Sequence, residues 1–270
     1  MPLKNLLVHL DGGARSAVRL AVAADLARQH GARLTGLFAR CAGPQTVGIV
    51  AHWPSPAYAA AAGESRAAFA AAADGLPGAE WRDANRGSAQ EVTQALIEAA
   101  HHVDLVVMGQ DAGDGDGAAP AGLAEQVLLH AGRPGLVLPY AGTVASVGRR
   151  PLIAWNHSRE SARALNDALP LIAGCARATI LSVTPHPDAE RAAARDCRRH
   201  LEAHGIAADV DVLVAEGVGV MDMILNRAAD MDADLLVMGA HGHIGFPFLH
   251  RGGGSRHILA HMTLPVLMSH

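Results

Sequence analysis

The chain has 270 residues, a formal net charge of -4, half of its residues hydrophobic and only 3% aromatic. That is enough apolar material for one or two packed domains, and weak acidity without basic blocks excludes recruitment of nucleic acid or an anionic membrane by bulk electrostatics. Cys41, Cys175 and Cys197 are too few and too widely spaced for a disulfide framework or a thiolate zinc site, no uncharged run is long enough to span a bilayer, and Met1 to Asn5 lead straight into an apolar run, so a cytoplasmic protein without a cleavable leader is expected.

Residues 3–10 (LKNLLVHL) predict a strand stopped by Asp11, Gly12 and Gly13. A helix follows over 15–30, ended by Gly31, and a second strand over 32–40 completes a strand, helix, strand unit with parallel strands and a right-handed crossover. Residues 41–56 are rich in Gly and Pro, carry isolated aromatics and read as a long loop. An alanine-rich helix (57–74), a strand (79–84), a helix (88–101) and the buried strand DLVVMG (104–109) come next. The low-complexity segment 111–122 precedes a helix (123–131) and the strand GLVLP (135–139), and a linker runs over about 140–150.

The second half repeats this order. Strands are predicted at 151–155, 178–183, 208–214, 235–238 and 265–268, and helices at 159–173, 188–204, 219–231 and 254–261. LLVMG (235–239) lies 130 positions after LVVMG (105–109), and Asn156 lies 145 after Asp11; the extra 15 residues of the first repeat are placed in the 41–56 loop. The reading is two tandem α/β domains, 1–142 and 149–270, each an open doubly wound five-stranded parallel sheet. Ligands in such sheets sit at the carboxyl ends of the strands where the winding reverses, which directs attention to Asp11, Asn156, the ends of the second strands near Ala39 and Val183, and the loops after Met108 and Met238.

The loop after Met238 carries the strongest signal. Gly239, Gly242, Gly252, Gly253 and Gly254 lead through Ser255 into Arg256, His257, Ile258 and Leu259, the first turn of a helix. A side-chain-free approach to a helix start, with outward N–H groups and a favourable dipole, suits a phosphate.

These residues carry a resemblance. Gly239, Gly242 and Gly252 match the Gly, two residues, Gly, nine residues, Gly motif of the universal stress protein family, and the whole chain resembles a tandem bacterial member, with an adenine nucleotide alpha hydrolase-like fold implied. The tail 261–270 and the opening 152–172 of the second repeat are similar to the same family. The resemblance implies ATP or AMP, with magnesium for ATP, bound in the second domain. Asn156 would meet the base, backbone near Val183 would help hold it, and Met238, Gly239, His241, Gly242, Gly252, Gly253, Gly254 and Ser255 would line the phosphates. Two departures stand out. Asn156 replaces an acid that contacts adenine, and Gly253 stands where a hydroxyl residue is common; each costs on the order of 1 kcal/mol, roughly fivefold in affinity. In the first repeat Asp11 is kept as a remnant of the base site, but Asp111, Asp114 and Asp116 stand in the phosphate loop and would repel a triphosphate. That domain is expected to be a structural or regulatory partner.

Other readings fare worse. Gly12 and Gly13 do not make a dinucleotide fingerprint, and no P-loop lysine follows any glycine. Asp111 to Asp116 lacks the ligand pattern of a calcium loop, and His157 beside Ser158 has no nucleophile elbow. His241, His243, His250, His257 and His261 surround the glycine loop, and His257 and His261 are spaced as a metal pair, but no carboxylate or thiolate is placed to complete the set; a phosphate contact from His241 or His243 is preferred. Asp222, Asp230 and Asp232 read as the solvated face of a helix. The expected role is a non-catalytic nucleotide-linked stress response, with slow nucleotide hydrolysis as the enzymatic alternative. A ligand-free interaction module and a metal-binding protein using the loop histidines are the other two. The two domains are expected to pair as an internal pseudo-dimer through their last strands, with a homodimer as a further option.

Overall fold

The computed structural model describes residues 2–47, 50–111, 118–214, 219–241 and 253–270. It divides into two compact units, 2–140 and 141–270. The N-terminal unit runs β1 (Asn5–Leu10), α1 (Ser16–His30), β2 (Arg33–Phe38), β3 (Gln45–Val47), β4 (Val50–His52), α2 (Pro56–Ala72), β5 (Glu80–Asp83), α3 (Ala89–Ala100), β6 (Leu105–Gly109), α4 (Leu123–His130) and β7 (Gly135–Leu138). The C-terminal unit runs β8 (Pro151–Ala154), α5 (Arg159–Ile172), β9 (Ala178–Thr184), α6 (Pro187–Ala203), β10 (Ala208–Val214), α7 (Val220–Asp230), β11 (Leu235–Gly239), α8 (Gly253–His261) and β12 (Val266–Ser269).

Each unit holds one five-stranded parallel sheet. The order is β7-β6-β1-β2-β5 in the first and β12-β11-β8-β9-β10 in the second. The central strands are apolar on both faces because helices cover both sides; β1, β6, β8 and β11 bury nearly every residue. Winding reverses between β1 and β6, and again between β8 and β11. Helix α1 lies against β1, β2 and β6, and α5 against β8, β11 and β12. Local chemistry sets the helix ends: Ser88 and Glu91 form a capping box on α3, Ser158 caps α5 by accepting from the Ser161 N–H at 3.0 Å, and Gly31 closes α1 in a left-handed turn.

The segment 41–56 departs from its expected loop. Residues 45–52 contain a short antiparallel pair, β3 on β4, and the aromatics are not isolated. Trp53 packs on Tyr58 with centroids 4.7 Å apart, Tyr58 meets the edge of Phe38 at 5.3 Å, and Trp81 stacks on Phe38 at 6.1 Å. The indole N–H of Trp53 donates to Asn85 Oδ1 at 2.9 Å, and the Tyr58 hydroxyl donates to Asp83 at 2.6 Å. Strands of three residues are too short to show a period, and the rings come together only once α2 and β5 are placed.

A carboxylate ties the start of the first strand in both units. Asp104 accepts from the backbone N–H groups of Lys4 and Asn5 at 2.6 and 2.9 Å. Asp234, 130 positions later, accepts from those of Arg149 and Arg150 at 2.9 and 2.7 Å, and also takes the Ser146 hydroxyl, so the end of the linker belongs to the C-terminal unit. Asp234 is buried. Replacing it by Ala orphans two backbone donors and a hydroxyl, and Asp234→Ala is expected to destabilise the C-terminal unit by about 3 kcal/mol, with a smaller loss for Asp104→Ala in the other unit; urea unfolding measures both.

Candidate functional site

The residues carried over from sequence fall at the carboxyl edge of the C-terminal sheet. Asn156 follows β8 and is exposed; Val183 is half-buried near the end of β9. Met238 is a core side chain in register with Met268, so only its backbone can serve a ligand. Gly239 ends β11. A Cβ there would lie 2.6 Å from the backbone of Glu160 and 2.7 Å from the Ser161 nitrogen, so β11 can approach the first turn of α5 only as glycine. Gly253, Gly254 and Ser255 are the first three residues of α8, and the buried Ser255 hydroxyl accepts from the His241 N–H at 2.8 Å, closing the loop back on the helix start. Gly242, Gly252, His243 and His250 lie outside the described residues, as do Asp114 and Asp116.

Three side chains fill the corresponding places in the N-terminal unit. At the end of β1, Asp11 accepts from the Gly13 N–H at 2.8 Å and the Ser16 hydroxyl at 2.6 Å, and pairs with Arg19 at 2.6 Å. The guanidinium also donates to the His9 carbonyl and extends over β6, where a Cβ on Gly109 would meet it at 2.6 Å. Burial pushes the Asp11 carboxyl up, but Arg19 and the two hydrogen bonds outweigh it and hold the group well below the usual carboxylate range. The second occupant is His9, whose buried Nε2–H donates to the carbonyl of Ala39 at 2.8 Å; burial lowers its pKa and keeps the ring neutral. Strand register makes Ala39 the counterpart of Val183. The third is Asp111, which accepts from the N–H of Gly122, the N-cap of α4, at 2.9 Å and so takes a donor that a phosphate would use. A backbone bond from Cys41 N–H to the Ala118 carbonyl, 2.7 Å, links the exit of β2 to the approach to α4.

Two of the three equivalent positions in the C-terminal unit are reduced to alanine, and the third holds a histidine. The counterpart of Arg19 is Ala164, that of His9 is Ala154, and that of Asp111 is His241. What sequence reasoning missed was therefore Arg19 and His9; Asp111 was read as a charge in the phosphate loop, and comparison of the repeats at offsets of 145 and 130 displays all three. A further pair, absent from the sequence reading, brackets Asn156: the Trp155 indole N–H donates to His157 Nδ1 at 3.2 Å, and His157 Nε2–H donates to Glu190 on α6 at 2.8 Å. The partners assign that tautomer.

The histidine pair on α8 is engaged differently from a metal site. His257 bonds Asp222 at 2.7 Å, so Asp222 is not merely part of a solvated face, and the His261 ring stacks on His257 at 4.4 Å while its Nδ1–H donates to the His257 carbonyl. Among the described residues no three His, Cys, Asp or Glu side chains are placed to hold a metal ion. Burial pushes the Cys197 thiol up to about 12 and raises Cys41 and Cys175 as well, which keeps all three thiols protonated. A cavity of about 700 Å³ between α3 and α4, lined by Gln90, Gln94, Gln126 and His130 among others, contains none of the carried-over residues. No helix among the described residues is long and apolar enough to cross a membrane.

Two doubly wound sheets in one chain, each with a turn and a helix start facing its switch point, define a duplicated α/β protein. The model of the Universal stress protein family matches residues 2–139 and again 149–270, and the chain belongs to that family as a tandem member. A universal stress protein from Archaeoglobus fulgidus superposes with a TM-score of 0.73 at 20% identity, over 98% of this chain and 95% of its own. A functionally unknown protein from Pseudomonas aeruginosa superposes with a TM-score of 0.62 at 18% identity, over 99% and 92%. A universal stress protein in complex with cAMP aligns with 46% of this chain and 99% of its own, at 19% identity and a TM-score of 0.37. No curated protein matches the sequence.

Because the folded pKa of Asp11 lies below the unfolded value near 4, its stabilisation is present above that value and is lost as pH falls through the depressed one. Arg19→Ala leaves a buried carboxylate without its partner and is expected to cost about 3–5 kcal/mol at pH 7. Urea titrations should show the gap to wild type shrinking as the pH approaches 4 and Asp11 takes up a proton.

Proposed function

We propose that the C-terminal unit binds one nucleotide per chain and that the N-terminal unit binds none. The observation that carries this reading is the substitution of three occupants: Arg19, His9 and Asp111 engage the acid, the β2 carbonyl and the helix N-cap in one unit, and Ala164, Ala154 and His241 stand in their places in the other. Phosphates belong at Gly253, Gly254 and Ser255, where the first turn of α8 supplies N–H groups and the positive end of the dipole, and where His241 can add a donor. The base belongs at Asn156 and the backbone near Val183, beside the switch point. The family reading implies ATP, with magnesium, or AMP. No step of chemistry is assigned to the site, and its role is binding within a stress response.

Calorimetry of ATP and AMP, with and without magnesium, is expected to give one site per chain in the micromolar to millimolar range. Gly253→Trp, which places a ring at the half-exposed start of α8, should weaken it at least tenfold with the melting profile retained, whereas Asp111→Ala in the other unit should leave it unchanged. No heat and no thermal shift at millimolar nucleotide would sink the reading in favour of a ligand-free docking module.

A further inference from the structure

The turn after the first strand is built the same way in both units. Asp11 Oδ1 accepts from the N–H two residues on, Gly13, at 2.8 Å; Asn156 Oδ1 accepts from Ser158, also two residues on, at 3.2 Å. In the Asp11 turn the contacts from Gly13, Ser16 and Arg19 all fall on Oδ1 of a buried carboxylate. A backbone N–H can be met only by the oxygen of an amide, so in the Asn156 turn the oxygen faces inward and the outward atom is Nδ2. Asn156 therefore offers its two amide hydrogens where a carboxylate could only accept.

The backbone of that turn is flanked by bonded neighbours on both sides. Trp155 and His157 are bonded to one another across Asn156, and His157 is bonded to Glu190 on α6. His157 adopts φ 59, the left-handed conformation that its counterpart Gly12 adopts at φ 74, and a non-glycine residue is held there at a cost of about 1 kcal/mol. Asn156 itself is exposed and makes no hydrogen bond from Nδ2 to a described residue.

We propose that the inward-facing oxygen of Asn156 makes the C-terminal site selective for a 6-oxopurine nucleotide over a 6-aminopurine one, because the outward Nδ2 can donate to a ring carbonyl and meets only hydrogens on an exocyclic amine. This rests on the reading that Asn156 meets the base edge of a bound nucleotide. The mismatch is the kind that a site discriminates well, since a donor set against a donor leaves both without partners.

ATP and ITP form the natural pair of probes, with the same sugar and phosphates and differing in the C6 amine or oxygen and in the proton at N1. Calorimetry on the full chain is expected to show ITP binding about fivefold to tenfold tighter than ATP. Asn156→Asp, whose turn the Asp11 side shows to be compatible with a carboxylate, should reverse the order, and Asn156→Ala should bring the two together. ATP binding wild type as tightly as ITP overturns the proposal, and so does an unchanged ratio in either variant. Binding of neither probe removes the nucleotide reading itself and this inference with it, whereas binding with the wrong preference removes the inference alone.

Discussion

The carboxylates of Asp104 and Asp234 set the level of everything above them. Each stands just before the strand beyond the switch point and receives two backbone N–H groups at the start of the strand on the near side. The two strands flanking the crevice are thereby pinned at their amino ends and run in register, β1 beside β6 and β8 beside β11. Their carboxyl ends emerge together. Asn156 and Gly239 reach the same edge because the strands were fixed together one strand length below, and a single unsatisfied donor there would be more damaging than most changes at the edge itself.

Above that shared base the units differ in what fills the crevice. The N-terminal edge is satisfied by its own side chains: a cation lies across Asp11 and Gly109, an imidazole closes on Ala39, and an acid sits on the α4 N-cap. A buried ion pair of this kind is defended by the penalty for breaking it more than by any net gain in forming it. The C-terminal edge keeps the glycine contact and the turn but has alanine where the cation and imidazole would be. Its helix start is closed by Ser255 on His241 and not by a carboxylate.

Strand positions and the duplication were legible because the central strands are apolar on both faces and end at glycine or an Asx turn, a pattern that survives without knowledge of partners. The glycine helix start was legible from spacing. The antiparallel pairing of β3 with β4 was not, since strands that short carry no period. Nor was the engagement of Asp11 legible: it depends on Arg19 returning from the first turns of α1, eight residues on, to the end of β1. The bond from His257 to Asp222 joins α8 to α7, a pairing that neither helix's own pattern encodes. Spacing identified His257 and His261 as neighbours, but the direction of each ring nitrogen is a property of packing.

One consequence concerns light. Of the three tryptophans, Trp53 and Trp81 belong to the aromatic cluster of the N-terminal unit, and Trp155 alone belongs to the C-terminal one. Its indole is hydrogen-bonded to an imidazole within the turn that carries Asn156, at the mouth of the crevice. With Trp53 and Trp81 exchanged for phenylalanine, the remaining emission would come from one fluorophore in direct contact with that turn. The C-terminal unit thus carries its own optical label at the carboxyl edge of its sheet.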